Sequence, residues 1–232
     1  MGCDIHAAIE VNDGQGWKAL TFPNPYAGKW EDEPPTTPRL DMNRNYCAFA
    51  ILADVRNGVG FAGCDTGDGF IPIAPGRGLP GDITPEARDN GCTGDHSDTY
   101  VTADELLAYD WTRMTKRRGW VNAITFEAWD RMKEWQPRPE EWSGGVMGAS
   151  VDHVSIEEMR RRVKEVMGEK RGVEWSKALE LLKARYANTY CLIEWEEPYT
   201  EAAGDLWTKV VPLVMKLKTQ HRDVRLVMNF DS

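Results

Sequence analysis

The stretch Cys3-Asp4-Ile5-His6-Ala7-Ala8-Ile9-Glu10-Val11 decides how this chain is read. Side chains two apart on a strand share a face, so Cys3, Ile5, Ala7, Ile9 and Val11 point one way, and Asp4, His6, Ala8 and Glu10 the other. Asp4-x-His6 is then a polar pair on one side of a strand whose other side belongs to a core. An imidazole and a carboxylate aimed at one point suit a divalent metal or a proton-transfer site. The closing run Val224 to Phe230 alternates in the same way, with Asn229 and Asp231 on one face and Met228 and Phe230 on the other. If the two runs are neighbours, Asp231 joins Asp4 and His6.

Outward from these ends, the chain predicts an α/β fold, with α+β as the variant. A single mixed sheet holds the N- and C-terminal strands and is flanked by helices, and a long Gly/Pro-rich loop region spans 57–95. At 232 residues one domain is expected over 1–232, with a helical, Trp-rich insert at about 103–186. The turn at Asn12 to Gly16 joins the first strand to a partner near 17–21. The proline-dense stretch 23–38 reads as surface loop. Asp41 is a candidate N-cap for a short buried helix carrying Tyr46, Phe49, Ala50 and Ala53. Thr102-Ala103-Asp104-Glu105 is a capping box, Thr125 precedes a helix over 126–135, and Ser155 caps a helix bearing Met159, Val163 and Val166 on one stripe. The tail reads strand, helix, strand, a crossover that would set 224–230 parallel to 190–195 in one sheet.

A net charge of -9 argues against extended nucleic acid or an anionic membrane surface as partner. No apolar run of membrane-spanning length and no signal sequence is visible, so a cytoplasmic protein is expected. Five scattered cysteines without a C-x-x-C pair read as reduced thiols. Ten tryptophans are many, and Trp111, Trp120, Trp129, Trp135 and Trp142 alternate with arginines in a mixture able to stack a base and hold a phosphate. An aromatic core under a solvated charged face is the plainer account of the same residues.

His96, in Asp95-His96-Ser97-Asp98, is the histidine that could meet His6. With Asp4 these two make a candidate set for a divalent metal (Zn, Mn or Mg), while Asp95 or Asp231 would orient a histidine or act as base. His153 and His221 read as ordinary. Arg44, Arg56 and Arg77 are the candidate anion-binding residues, Arg77 within a tight Gly/Pro turn.

The combination of Gly2-Cys3-Asp4-Ile5-His6, Arg44-Asn45-Tyr46, Arg77-Gly78-Leu79-Pro80, Asp95-His96-Ser97 with Thr102-x-x-Glu105-Leu106, and the closing Phe230-Asp231 resembles a family of small uncharacterised proteins of bacteriophages and prophages. That resemblance implies a phage setting and a set of shared polar positions, not a reaction. Three functions follow as expectations. One is a phage-encoded metal-assisted hydrolase acting on a nucleotide or cyclic-dinucleotide phosphodiester, counteracting host immune signalling. Another is a non-catalytic sponge that sequesters a small anionic nucleotide, as a homo-oligomer. The third is a structural or host-interaction protein in which Asp4, His6 and His96 are a hydrogen-bond network.

Overall fold

The computed structural model describes residues 2–30, 33–89, 96–168 and 172–231. Asp95 and Cys92, both singled out in the sequence, lie outside the described residues. The fold is mixed α/β, with helices on its sheets, and the N- and C-terminal strands lie in one sheet. Where one domain with an insert was expected, the chain divides into two compact units, one of 1–57, 70–113 and 198–232, the other of 58–69 and 114–197.

In the first unit, β1 (Ile5–Asn12) lies between β2 (Trp17–Ala19) and β10 (Asp223–Phe230), and β10 lies between β1 and β6 (His96–Thr102). Two two-residue strands, β3 (Phe22–Pro23) and β4 (Thr36–Thr37), form a separate ribbon, and β5 (Arg39–Leu40) also pairs with β1. β10 is antiparallel to both neighbours, with Ile5 opposite Phe230 and His6 opposite Asn229. Both edges of β10 are therefore taken. The parallel crossover expected of the tail cannot form, and β9 (Thr189–Pro198) lies in another sheet.

Alternation divides the faces of this sheet. On one, Ile5, Ala7, Ile9, Leu226, Met228, Phe230 and Val101 pack against α1 (Tyr46–Ala53) and four more helical segments. These are α3 (Ala103–Ala108), α7 (Tyr199–Ala203), a π-turn at Leu206–Val210 and α8 (Val211–Lys218). Every residue of α1 except Tyr46 is buried, which is why its apolar residues show no single stripe. Its cap is Asn45 rather than Asp41: the Asn45 Oδ1 accepts from the amides of Cys47 (2.9 Å) and Ala48 (3.3 Å). The Thr102 capping box forms as read, with Glu105 N donating to Thr102 Oγ1 and Thr102 N to Glu105 Oε2.

The opposite face carries Ala8 and Val227 beneath Ile83 and Ala87, the latter on α2 (Pro85–Asp89). Glu10 and Arg225, both fully buried, face each other here. Arg225 Nε donates to Glu10 Oε2 (2.7 Å), Nη1 to Asp82 Oδ1 (2.7 Å) and Nη2 to the Asp82 carbonyl (3.1 Å), while its guanidinium sits 3.8 Å from the centre of the Trp17 ring. The second Glu10 oxygen takes the Thr84 amide at 2.7 Å. Part of the glycine-rich region thus covers the polar face of β1, held by a buried and satisfied ion pair.

The second unit is a three-stranded sheet, β7 (Met114–Asn122), β9 and β8 (Asp152–Val154) in the order β7-β9-β8, with α4 (Ala123–Met132), α5 (Ile156–Met167) and α6 (Val173–Tyr186). β8 is parallel to β9. Asn122 caps α4, three residues earlier than the expected Thr125, and Ser155 caps α5 as read. Phe126, Met159, Leu182, Ile193 and Trp195 form its core. The arginines of α5 face carboxylates: Arg160 pairs with Asp130, and Arg161 and Arg162 with Glu158. Segment 58–69 lies along β7 through Asp68 N to Lys116 O and Arg118 N to Thr66 O.

Candidate functional site

The chain ends meet where β1 begins and β10 finishes. The Asp4 amide donates to Asp231 Oδ1 (2.8 Å), and the Asp231 amide donates to the Asp4 carbonyl (3.1 Å). His6 Nε2 lies 3.1 Å from Asp231 Oδ2, and Arg44 grips Asp4 with two parallel bonds of 2.7 and 2.6 Å. The His6 side chain keeps 19 % of its surface and that of Asp231 37 %, so the pair sits at a solvent-reachable rim. A carboxylate holding an imidazole in a fixed orientation, with a guanidinium nearby, can move a proton and hold an anion.

The Arg44 guanidinium holds the Asp4 carboxyl below the usual carboxylate range, and the Asp4 amide followed by His6 does the same for Asp231. Burial pushes the Cys3 thiol up, which leaves it a poor nucleophile. For Asp4 and Asp231 the folded value lies below the unfolded one. Their contribution is complete above the unfolded value of about 4 and is lost as pH falls through the folded values. The clasp between the chain ends should therefore loosen in acid below about pH 4. Amide exchange at Asp4 and Asp231, corrected for its intrinsic pH dependence, measures this, and equal protection at pH 6 and pH 3 would refute it.

Of the residues selected from sequence, Asp4, His6, Arg44 and Asp231 converge here. Arg56 lies near, its guanidinium 5.8 Å from the centre of the Tyr46 ring, whose hydroxyl accepts from the Cys3 amide. Arg77 does not join: it is held by Glu105 through bonds of 3.1 and 2.9 Å. His96 is the larger departure. Its position opposes Phe230, and its ring stacks on the Phe230 ring with centroids 6.3 Å apart, on the core side of β10, whereas His6 opposes Asn229 on the other side. Unbroken alternation from Thr99 would have put His96 on the His6 face. A β-bulge between Met228 and Phe230, with Ser97 at φ 59°, inserts one residue and reverses it. Among the described residues, no three His, Cys, Asp or Glu side chains are grouped as a metal site.

Two further polar residues stand on this sheet beside His6. Asn229, 1 % exposed and opposite His6, has a buried Oδ1 with no hydrogen-bond donor among the described residues, and the same is true of Asp98 Oδ1 on β6. Alternation of the last strand had placed Asn229 on the face of Asp231; finding Asp98 needs the strand register, which local pattern does not specify.

His153 Nε2 lies 2.9 Å from the Val146 carbonyl, and His221 pairs with Asp13 at 3.0 Å. In the second unit, a cleft of about 430 Å³ is lined by Trp129, Arg131 and Arg138 among others, the arginine and tryptophan mixture noted in the sequence. Its arginines are engaged by acids, Arg131 by Glu127 and Arg138 by Glu197, and Glu140 and Glu141 stand in its wall. An anion gains little there. No described helix is long and apolar enough to cross a membrane. No family model, no curated protein and no solved structure matches this chain.

Proposed function

We propose that this protein is a hydrolase of a small nucleotide-type phosphoester, in which His6 transfers the proton, Asp231 fixes its ring, and Arg44 meets the phosphate. The observation that supports it is the His6–Asp231 pair at 3.1 Å on a solvent-reachable rim beside a guanidinium. An imidazole held by a carboxylate is a general base towards water and, once protonated, a general acid towards the departing oxygen. Arg44 is drawn from Asp4 to phosphate without leaving a charge buried, since both side chains are about half exposed.

The metal-assisted version drawn from sequence loses His96 as a ligand, and Asp4 and Asp231 each spend both oxygens on hydrogen-bond donors. The proton-transfer route uses the residues as they stand. Removing a signalling nucleotide of the host is the task such a phage enzyme would serve.

The test is a panel of linear and cyclic nucleotides incubated with the protein, with and without EDTA, products being separated by chromatography. Turnover that survives EDTA and falls on the order of 10²-fold in Asp231→Asn is the expected result. Turnover abolished by EDTA and restored by Zn or Mn would return the reaction to a metal. Intact nucleotide recovered after heating the protein, with no turnover, would make it a sequestering protein.

A further inference from the structure

We propose that the cleft of the second unit, together with Trp135 at its lip, docks a basic and apolar peptide segment of a partner protein. The cleft, of about 430 Å³, lies between α4 and the segment 136–141, and Trp129 ties the two together by donating from Nε1 to the Pro137 carbonyl (2.7 Å). From α4 it takes an apolar lining that includes Ile124, Ala128 and Met132. The amides of Trp135 and Gln136 both donate to the Met132 carbonyl (2.9 and 2.8 Å), so the Trp135 ring is carried between two lining residues. That ring is 84 % exposed, with no aromatic, cationic or hydrogen-bonding partner among the described residues. It is not an isolated apolar side chain, because the exposed Met132 and the cleft continue it. A bare tryptophan continuous with an apolar concavity is the usual anchor of a protein contact.

Charge decides what the partner brings. The three cations of this surface are already answered: Arg131 by Glu127 (3.2 Å), Lys133 by Asp130 (2.9 Å) and Arg138 by the buried Glu197 (3.4 Å). Three acids are not. Glu134, Glu140 and Glu141 are exposed, and none has a hydrogen-bond or ion-pair partner among the described residues. The unanswered charge around the cleft is therefore negative. It repels a phosphate, a nucleic acid or an anionic membrane and attracts lysine or arginine. A guanidinium or ammonium seated on the open face of Trp135, beside Glu134, gains from the ring and the carboxylate together.

Size and symmetry fix the class of partner. The cleft is at the small end of the range for a small-molecule pocket, about 300–1,000 Å³, and Trp135 is not part of its lining. A small molecule that fills the cleft leaves the Trp135 ring in water. A peptide that seats one apolar side chain in the cleft and a basic one on Trp135 covers both. A second copy docked here by two-fold symmetry would set the same three acids against each other, which like charges oppose. The inference is independent of the reaction at His6.

Fluorescence anisotropy of labelled peptides mixed with the whole protein tests this. The probes are a peptide of alternating leucine and lysine, its leucine and glutamate counterpart, and unlabelled spermidine as competitor. The expected result is that the lysine peptide binds at least about 10-fold tighter than the glutamate one, and more weakly as salt is raised. Trp135→Ala should lower that affinity at least about 10-fold, and Glu140→Gln with Glu141→Gln about 3- to 10-fold. Glu86→Gln with Asp89→Asn, exposed acids of α2, should change it by less than about 2-fold, which separates the cleft from the net negative charge of the chain. All these side chains are exposed, so the urea midpoint of each variant should stay at that of the wild type. No binding of the lysine peptide, equal affinity in Trp135→Ala, or an equal loss in the α2 variant would overturn the proposal. Displacement by spermidine at the peptide's own concentration would overturn it in favour of a small amine. A dimer in sedimentation that Trp135→Ala abolishes would overturn it in favour of a second copy.

Discussion

Replacing Arg225 with methionine is expected to destabilise the first unit by about 3–5 kcal/mol, read as a fall in the urea midpoint at unchanged slope. Arg225 and Glu10 are fully buried in the middle of β10 and β1, and the guanidinium also holds Asp82 and lies on Trp17. Methionine fills most of the volume but leaves the Glu10 carboxylate unpaired in an apolar place, with only the Thr84 amide to satisfy it. The loss is a large fraction of the 5–15 kcal/mol typical of a whole domain. The double replacement Glu10→Leu with Arg225→Met removes both charges and should recover most of it, because a buried pair contributes little beyond what two well-packed apolar side chains would. A single-variant shift under about 1 kcal/mol would show that water reaches Glu10 and that the pair is not buried in solution.

The second large effect is chemical. His6→Ala should lower turnover of whichever nucleotide the panel identifies by about 10²–10⁴-fold, the usual contribution of a positioned general acid or base. Stability should change by no more than about 1 kcal/mol, since the His6–Asp231 pair sits at a partly exposed rim. In Arg44→Ala the loss should fall mainly on KM, if the guanidinium meets the phosphate in both ground and transition states. Retained turnover in His6→Ala would remove His6 from the reaction. A collapse of thermal stability in the same variant would mark it as part of a structural network with Asp4 and Asp231.

The period-2 alternation at both ends of the chain was enough to pair β1 with β10 and to place Ile5, Ala7 and Ile9 in the core, because a one-residue slip would turn that whole set outward. The convergence of Asp4, His6 and Asp231 followed from the same argument. His96 was misplaced by alternation for a physical reason: one inserted residue at Ser97 reverses the face of everything beyond it, and no glycine or proline marks that position. Glu10 was legible only as a polar residue on the strand's open face. Its partners, Arg225 and the Thr84 amide, are 215 and 74 positions away along the chain. The parallel tail was expected because strand, helix, strand usually closes that way, but β10 had already committed both of its edges to β1 and β6. Caps failed by a few residues where two Asx or Thr candidates competed, at Asp41 against Asn45 and Thr125 against Asn122.

The pairing of residue 5 with residue 230 also sets an order of events for a chain being synthesised. β1 leaves the ribosome long before its central partner β10 does, because most of the chain lies between them. Until β10 is made, the edge of β1 that it occupies has no strand to pair with, while the second unit's strands and helices are already available to one another. Such long-range closure makes folding slow and leaves an unpaired apolar edge exposed to other chains. Nascent chains stalled before residue 223 should therefore be protease-sensitive in 1–57 while 114–197 is already resistant, and dependence on a chaperone should end when β10 emerges.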